Sequence, residues 1–229
     1  MAKLPNIGGH AAEGEKGSDI EAKLTQLSPL SLYILFHLKR ANADYAGSIS
    51  KVIEVPIEKV VDELDRLEST GLIQRRVGGS SIKRSEARFK LSDEVHKHHV
   101  YYELSREGEA LVRELVRDPR KLSEYFDRLA GHRNALKLLL FLFEAKNEHA
   151  GTLAKVVNDT PCNTVDLLDR LESLGLVVKV KEKVIKASHR RAKPKPETRT
   201  HHVYYRVSEM TKMLIRYSDL RRASQGAYA

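Results

Sequence analysis

Apolar side chains recur along this chain with two different periods, and the alternation between the periods predicts its elements. Leu30, Ile34, Leu35 and Leu38 follow Ser28-Pro29 at helical spacing, so a helix starts there with serine as N-cap and proline in the first turn. A short second helix is predicted from about Gly47 to Ile53. A third begins near Pro56, where Val60, Val61, Leu64 and Leu67 form one buried stripe, and Gly71 ends it as a left-handed cap. The period then falls to two. Leu72 to Val77 reads as a strand, Gly78-Gly79 opens a long polar loop, and Val100 to Leu104 returns as a second strand. Ser105-Arg106-Glu107-Gly108-Glu109 starts a closing helix.

The same pattern occurs twice. Ala46-Gly47-Ser48-Ile49-Ser50-Lys51-Val52 reappears as Ala150-Gly151-Thr152-Leu153-Ala154-Lys155-Val156. The run from Val61 to Ile73 reappears from Val165 to Val177, at the same offset of about 104 residues, and His98-His99-Val100-Tyr101-Tyr102 reappears as His201-His202-Val203-Tyr204-Tyr205 one residue short of it. Three matches in order mean two homologous domains. Helix, helix, helix, strand, loop, strand, helix is the winged-helix order, so the expected class is α+β, mainly helical, with two tandem winged-helix domains that each carry a long two-stranded basic wing. The expected organisation is a flexible polar leader (1–17), domain 1 (18–118), a linker (119–131), domain 2 (132–223) and a tail (224–229). Pro119 to Gly131 reads equally as a helix or a flexible joint.

Charge adds a direction. The chain of 229 residues carries a formal +9, and that charge is local. Gln74 to His99 holds seven Lys/Arg against three acids, and Val178 to His202 nine against two, which leaves the remainder near −2. A basic strip in a long loop points to a polyanionic partner. The longest apolar run, Leu136 to Phe143, is interrupted by Lys137 and too short for a bilayer; no signal peptide is visible, and a cytoplasmic protein without a membrane partner is expected. A single cysteine, Cys162, leaves no internal disulfide and no thiol set for zinc.

Asp65-Arg66-Leu67-Glu68-Ser69-Thr70-Gly71-Leu72-Ile73-Gln74-Arg75 and its copy from Asp169 resemble the end of the recognition helix and the first wing strand of MarR- and ArsR-like winged-helix proteins. The whole also resembles an archaeal group of ribosome hibernation factors with duplicated winged-helix-like domains that occupy both subunits. That resemblance implies a ribosome or rRNA partner, with translation inhibited by blocking functional RNA sites. The MarR-like resemblance implies DNA.

The candidate contacts follow from charge and strand alternation. The first wing offers Arg75, Arg76, Lys83, Arg84, Arg88 and Lys90. The second offers Lys179, Lys181, Lys183, Lys186, Arg190, Arg191, Lys193, Lys195 and Arg199, held extended by Pro194 and Pro196. Alternation puts Val100, Tyr102 and Leu104 in the core and turns His99 with Tyr101 outward; likewise Val203, Tyr205 and Val207 oppose His202 and Tyr204. The outward His/Tyr pairs are expected to stack on unpaired bases, the alternative being packing within the wing. The third helices look ill suited to phosphate: Glu58, Asp62, Glu63, Asp65 and Glu68 in the first, Asp166, Asp169 and Glu172 in the second, with Asn163 and Thr164 a weak base-reading set.

No phosphate loop, nucleophile elbow or metal-spaced histidine pair is present, so no catalytic residue, metal ligand, cofactor or small-molecule substrate is expected. Two functions from different classes remain. One is a factor that binds the ribosome and inhibits translation; the other is a DNA-binding transcriptional regulator. A protein adaptor using the acidic third helices is the third reading.

Overall fold

The structure, a computed structural model, describes residues 20–76, 100–180 and 203–220. The first unit opens with a helical segment, α1 (residues 20–26), followed by α2 (Pro29–Ala41), α3 (Ala46–Ile53) and α4 (Ile57–Ser69). Strands β1 (Ile73–Arg75) and β2 (Tyr102–Leu104) and helix α5 (Arg106–Arg117) complete it. Helix α6 (Pro119–Ala130) leads into α7 (Ala135–Ala145), β3 (Glu148–His149), α8 (Ala150–Val157), α9 (Pro161–Ser173), β4 (Val177–Val180), β5 (Tyr204–Val207) and α10 (Glu209–Tyr217). Two winged-helix units in tandem is therefore the observed architecture, mainly helical with small antiparallel sheets.

Several helix starts are set by short polar side chains, among them the Ser28 and Ser105 starts that the sequence predicts. Ser28 and Ser31 form a capping box at α2, Ser105 caps α5 by accepting from the Gly108 amide, and Thr160 and Ser208 do the same for α9 and α10. Gly71 and Gly175 take φ of +73° and +72°, which lets Leu72 N–H reach the Leu67 carbonyl at 3.0 Å and Leu176 N–H the Leu171 carbonyl at 2.9 Å. A Cβ at that φ would be strained, and the chain needs the turn to pass from third helix into wing.

One continuous core runs through both units. Val60, Leu64 and Leu67 bury one stripe of α4, and Thr164, Leu167, Leu168 and Leu171 the same stripe of α9. Val61 was expected in that stripe and lies outside it, more than a third exposed, as is the equivalent Val165 of α9; both stand on the flank of the helix turned from the core. Helix α2 is buried over almost its whole circumference, packed by α4, α5 and β2 of its own unit and by α10 of the other.

Of the two readings for residues 119–131, a helix is the one observed. Asp118 caps α6, Pro119 stands in its first turn, and Leu122, Tyr125, Phe126 and Ala130 are buried. Helix α6 is the counterpart of α1. Arg66 on α4 donates to the Gln26 carbonyl at the end of α1 at 2.9 Å, and the equivalent Arg170 on α9 donates to the Leu129 carbonyl near the end of α6 at 3.0 Å. Tyr125 Oη also donates to the Leu27 carbonyl at 3.1 Å, tying α6 to the first unit.

The sheets carry one strand more than the sequence pattern shows. Strands β1 and β2 pair antiparallel, with Gln74 opposite Glu103, and Asp44 bridges the outer edge of β2 at Tyr102. In the second unit β5 lies between β4 and β3, with Tyr204 opposite Val180 on one side and His149 on the other. The stretch before α3 and α8 thus covers the returning wing strand on its far edge.

Candidate nucleic-acid interface

That extra cover decides the fate of the aromatic residues. Tyr101 and Tyr204 were expected to face outward for base stacking, and both are buried. Tyr101 packs with Ala43 and Tyr45 in a small separate cluster, ring edge against Tyr45 at 5.5 Å, and Tyr204 meets the His149 ring edge-on at 5.9 Å. Strand alternation assumes one wet face; here the residues ahead of α3 and α8 cover Tyr101 and Tyr204 on the second face as well. Val100 and Val203, expected in the core, are 52% and 53% exposed at the strand starts. His99 and His202 lie outside the described residues.

The partly exposed rings are Tyr45 and His149, one layer further out. Each precedes its second helix and lies over a glycine of that helix: a Cβ on Gly47 would come within 3.1 Å of Tyr45 Cε2, and one on Gly151 within 3.2 Å of the His149 ring. The signal was present in the repeat as aromatic ring, alanine, glycine. Lys51 and Lys155, exposed at equivalent positions of α3 and α8, were likewise in the repeat and overlooked because they sit outside the wings.

At the wing roots, three of the candidate contacts have acidic partners within their own unit. Arg75 Nε lies 2.9 Å from Glu68 and its Nη2 3.2 Å from Asp65, with the guanidinium 5.8 Å over the Tyr102 ring. Lys179 Nζ is 2.9 Å from both Asp169 and Glu172, and those carboxylates push its pKa further up. Arg76 pairs with Glu103 at 3.4 Å. These three candidate phosphate contacts thus face acids of their own unit. The acids Asp65/Glu68 and Asp169/Glu172, which looked repulsive to a polyanion, are the partners that clamp wing to third helix. Geometry brings together residues ten apart in sequence, which charge counting treats as two separate patches.

What remains open on the third helices differs between the units. Glu63 accepts from Arg66, Ser28 and Ser31. Glu58, Lys59 and Asp62 are exposed on α4, and Glu58 sits in its first turn. The first turn of α9 holds no acid; Thr160 caps it, and Cys162 and Asn163 are exposed. Asn163 Nδ2 donates to Asp159 at 2.8 Å, which also takes the Thr160 amide and His132 and is held below the usual carboxylate range by them, the amide first. Thr164, the other base-reading candidate, is buried, its hydroxyl given to the Thr160 carbonyl at 2.8 Å. The α9 N-terminus therefore exposes short polar side chains in a first turn without acid, with the Asp159 carboxylate held against Thr160 and Asn163 just ahead of it.

Lys83, Arg84, Arg88, Lys90, Lys181, Lys183, Lys186, Arg190, Arg191, Lys193, Lys195 and Arg199 lie outside the described residues, as do the leader and tail. No helix among the described residues is long and apolar enough to cross a membrane.

A wing clamped to a three-helix unit, built twice, defines a tandem winged-helix protein. The chain belongs to the family described as "Uncharacterized protein conserved in archaea (DUF2250)", whose model matches residues 22–115 and again residues 126–218. The second match begins inside α6, as the first begins inside α1. Among solved structures, the chain is similar to a mutant MarR from E. coli complexed with operator DNA, at 18% identity and a TM-score of 0.34, over 58% of this chain and 86% of that one. It is also similar to NadR in complex with 4-hydroxyphenylacetate, at 17% identity and a TM-score of 0.32, over 54% of this chain and 79% of that one. No curated protein matches at a significant level.

Proposed function

We propose that this chain is a non-enzymatic, DNA-binding regulator in which the second unit is the main reader. The observation that carries the proposal is the first turn of α9, capped by Thr160, without acid and with Asn163 exposed, in a unit whose wing-root acids Asp169 and Glu172 are already paired with Lys179. A helix presented by its polar N-terminal end is how winged and turn-linked helices meet base edges in the major groove. Phosphate affinity comes from the sequence that follows each root: residues 181–202 carry eight Lys/Arg against two acids, residues 77–99 five against three.

Fluorescence anisotropy with a labelled duplex, repeated across salt concentrations, tests it. We expect log K to fall steeply with log salt, by about 0.9 per phosphate neutralised, and Asn163→Ala to weaken a preferred site at least tenfold while leaving the salt slope unchanged. Affinity independent of salt rejects the reading.

A second reading has its own observation. The acid in the first turn of α4 makes the first unit a poor groove reader, and unequal units suit two unlike surfaces better than one duplex. Structured RNA of the ribosome offers such surfaces, and occupancy there inhibits translation. Comigration with ribosomal particles that is lost at high salt, with no preference among duplexes, selects this reading over the first.

A further inference from the structure

The two units have the same parts, yet the packing of α10 on the first unit has no equivalent of similar extent from α5 on the second unit's α7. Helix α10 of the second unit lies along α2 and α3 of the first. There the Tyr217 ring stacks on Tyr33 with centroids 6.2 Å apart and planes 20° apart, and the Arg40 guanidinium sits 5.1 Å over Tyr217. The equivalent helix of the first unit, α5, packs on its own α2, on β2 and on α6, not on α7.

The side chains explain why the reverse contact does not form. Tyr33, His37 and Arg40 on α2 correspond to Lys137, Phe141 and Glu144 on α7, and Tyr217 corresponds to Glu114, which pairs with Lys121 at 2.8 Å and Arg117 at 2.9 Å. The two positions that would form the equivalent stack, Lys137 and Glu114, carry no ring. The roots of the two closing helices differ as well. At Gly108 a Cβ would stand 2.0 Å from the Leu72 carbonyl oxygen, so α5 hugs its own wing. At the equivalent Thr211 the hydroxyl fills that space, donating to the Leu176 carbonyl at 2.8 Å, so a side chain stands between α10 and its own wing.

A two-fold pair makes each of its contacts twice; a contact made once is heterologous. Reading an inverted repeat requires the two-fold. From this we infer that the nucleic-acid site recognised by this protein lacks two-fold symmetry and is spanned by one chain, each unit meeting a half-site of different sequence. The inference rests on the nucleic-acid-binding reading above and adds the form of the site.

Selection of bound duplexes by the full-length protein from a random-sequence library, followed by sedimentation of the complex with the enriched duplex, tests it. The expected motif does not match its own reverse complement, the complex holds one chain per duplex, and inverting one half of the motif weakens binding about 100-fold. Tyr217→Ala should weaken the intact motif while sparing each half alone, and Tyr217→Phe, which keeps the stack, should restore it. An enriched inverted repeat, or two chains per duplex, overturns the inference and leaves DNA binding standing. Salt-dependent binding with no enriched motif overturns it too, because no site is then read; absence of any binding sinks both.

Discussion

The first and second units answer the same problem, how to hold a wing against a third helix, with the same chemistry, and differ in what they do with the helix that follows. Arg75 on Asp65 and Glu68, and Lys179 on Asp169 and Glu172, are one device repeated. Gly108 and Thr211 are not. The first admits α5 to contact with the wing backbone, and the second keeps a side chain between α10 and that backbone while α10 covers the other unit. The duplication preserves a local clamp through residues close in sequence, while the closing helices, which differ at the Gly108/Thr211 position, pack on different partners.

Exchanging those two residues is the strongest way to break the comparison. Gly108→Thr has no space for its Cβ against Leu72, and we expect a loss of about 3 kcal/mol or failure to fold. Thr211→Gly removes one hydrogen bond and costs about 1–2 kcal/mol. Denaturant unfolding of both variants checks the asymmetry; equal losses would refute it. Next in size is Tyr217→Ala, which deletes a half-buried ring between the units and should cost about 2 kcal/mol. Amide exchange should then rise in α2 and α10 and stay unchanged in α9.

Charge removal sharpens the comparison without touching the core. Replacing Lys183, Arg190 and Arg191 together by Ala should leave thermal unfolding unchanged and reduce the salt slope of binding by about 3, whereas Arg75→Ala with Lys179→Ala should reduce it by less than about 1, because those two already face carboxylates. A larger slope change in the root pair than in the wing triple would return Arg75 and Lys179 to the binding surface. Their structural effect is expected to be small, a fall in Tm on the order of 1–2 °C that disappears in about 1 M salt.

The smallest effect concerns the elbow between α5 and α6, a corner fixed by charge. Hydrogen bonding from Lys121 holds the Glu114 carboxyl below its ordinary range, and hydrogen bonding from Arg120 does the same for Asp118. A carboxylate whose pKa is depressed by folding adds stability above its unfolded value and loses it as pH falls through the lower, folded one. The difference in Tm between wild type and Glu114→Gln should therefore be flat above about pH 5 and shrink to nothing as the solution is acidified below about pH 4. A difference that grows on acidification would have the wrong sign.

Much of the fold is legible because its signals are local. Ser28-Pro29, Gly71 and Gly175 act through bonds to residues a few positions away, and a repeat of about 104 residues exposes a duplication without any knowledge of contacts. The candidate site is less legible. Tyr101 and Tyr204 alternate correctly along their strands yet are buried, because cover comes from Tyr45 and His149, more than 50 residues earlier in each case. Arg75 and Lys179 count as wing charge in any window, and only proximity shows that they are spent on the third helix.

By itself, then, the amino-acid order determined two winged helices in tandem, their caps, and the concentration of positive charge after each β1-like strand, since each depends on spacing within a single element. The tertiary structure alone decided that the stretch read as a linker is the counterpart of α1, that Tyr101 and Tyr204 are covered, and that α10 crosses to the first unit without an equivalent contact from α5 on α7. Those outcomes turn on shape where distant segments meet, such as the space beside Gly108, and neither period nor composition encodes a distance between residues far apart in the chain.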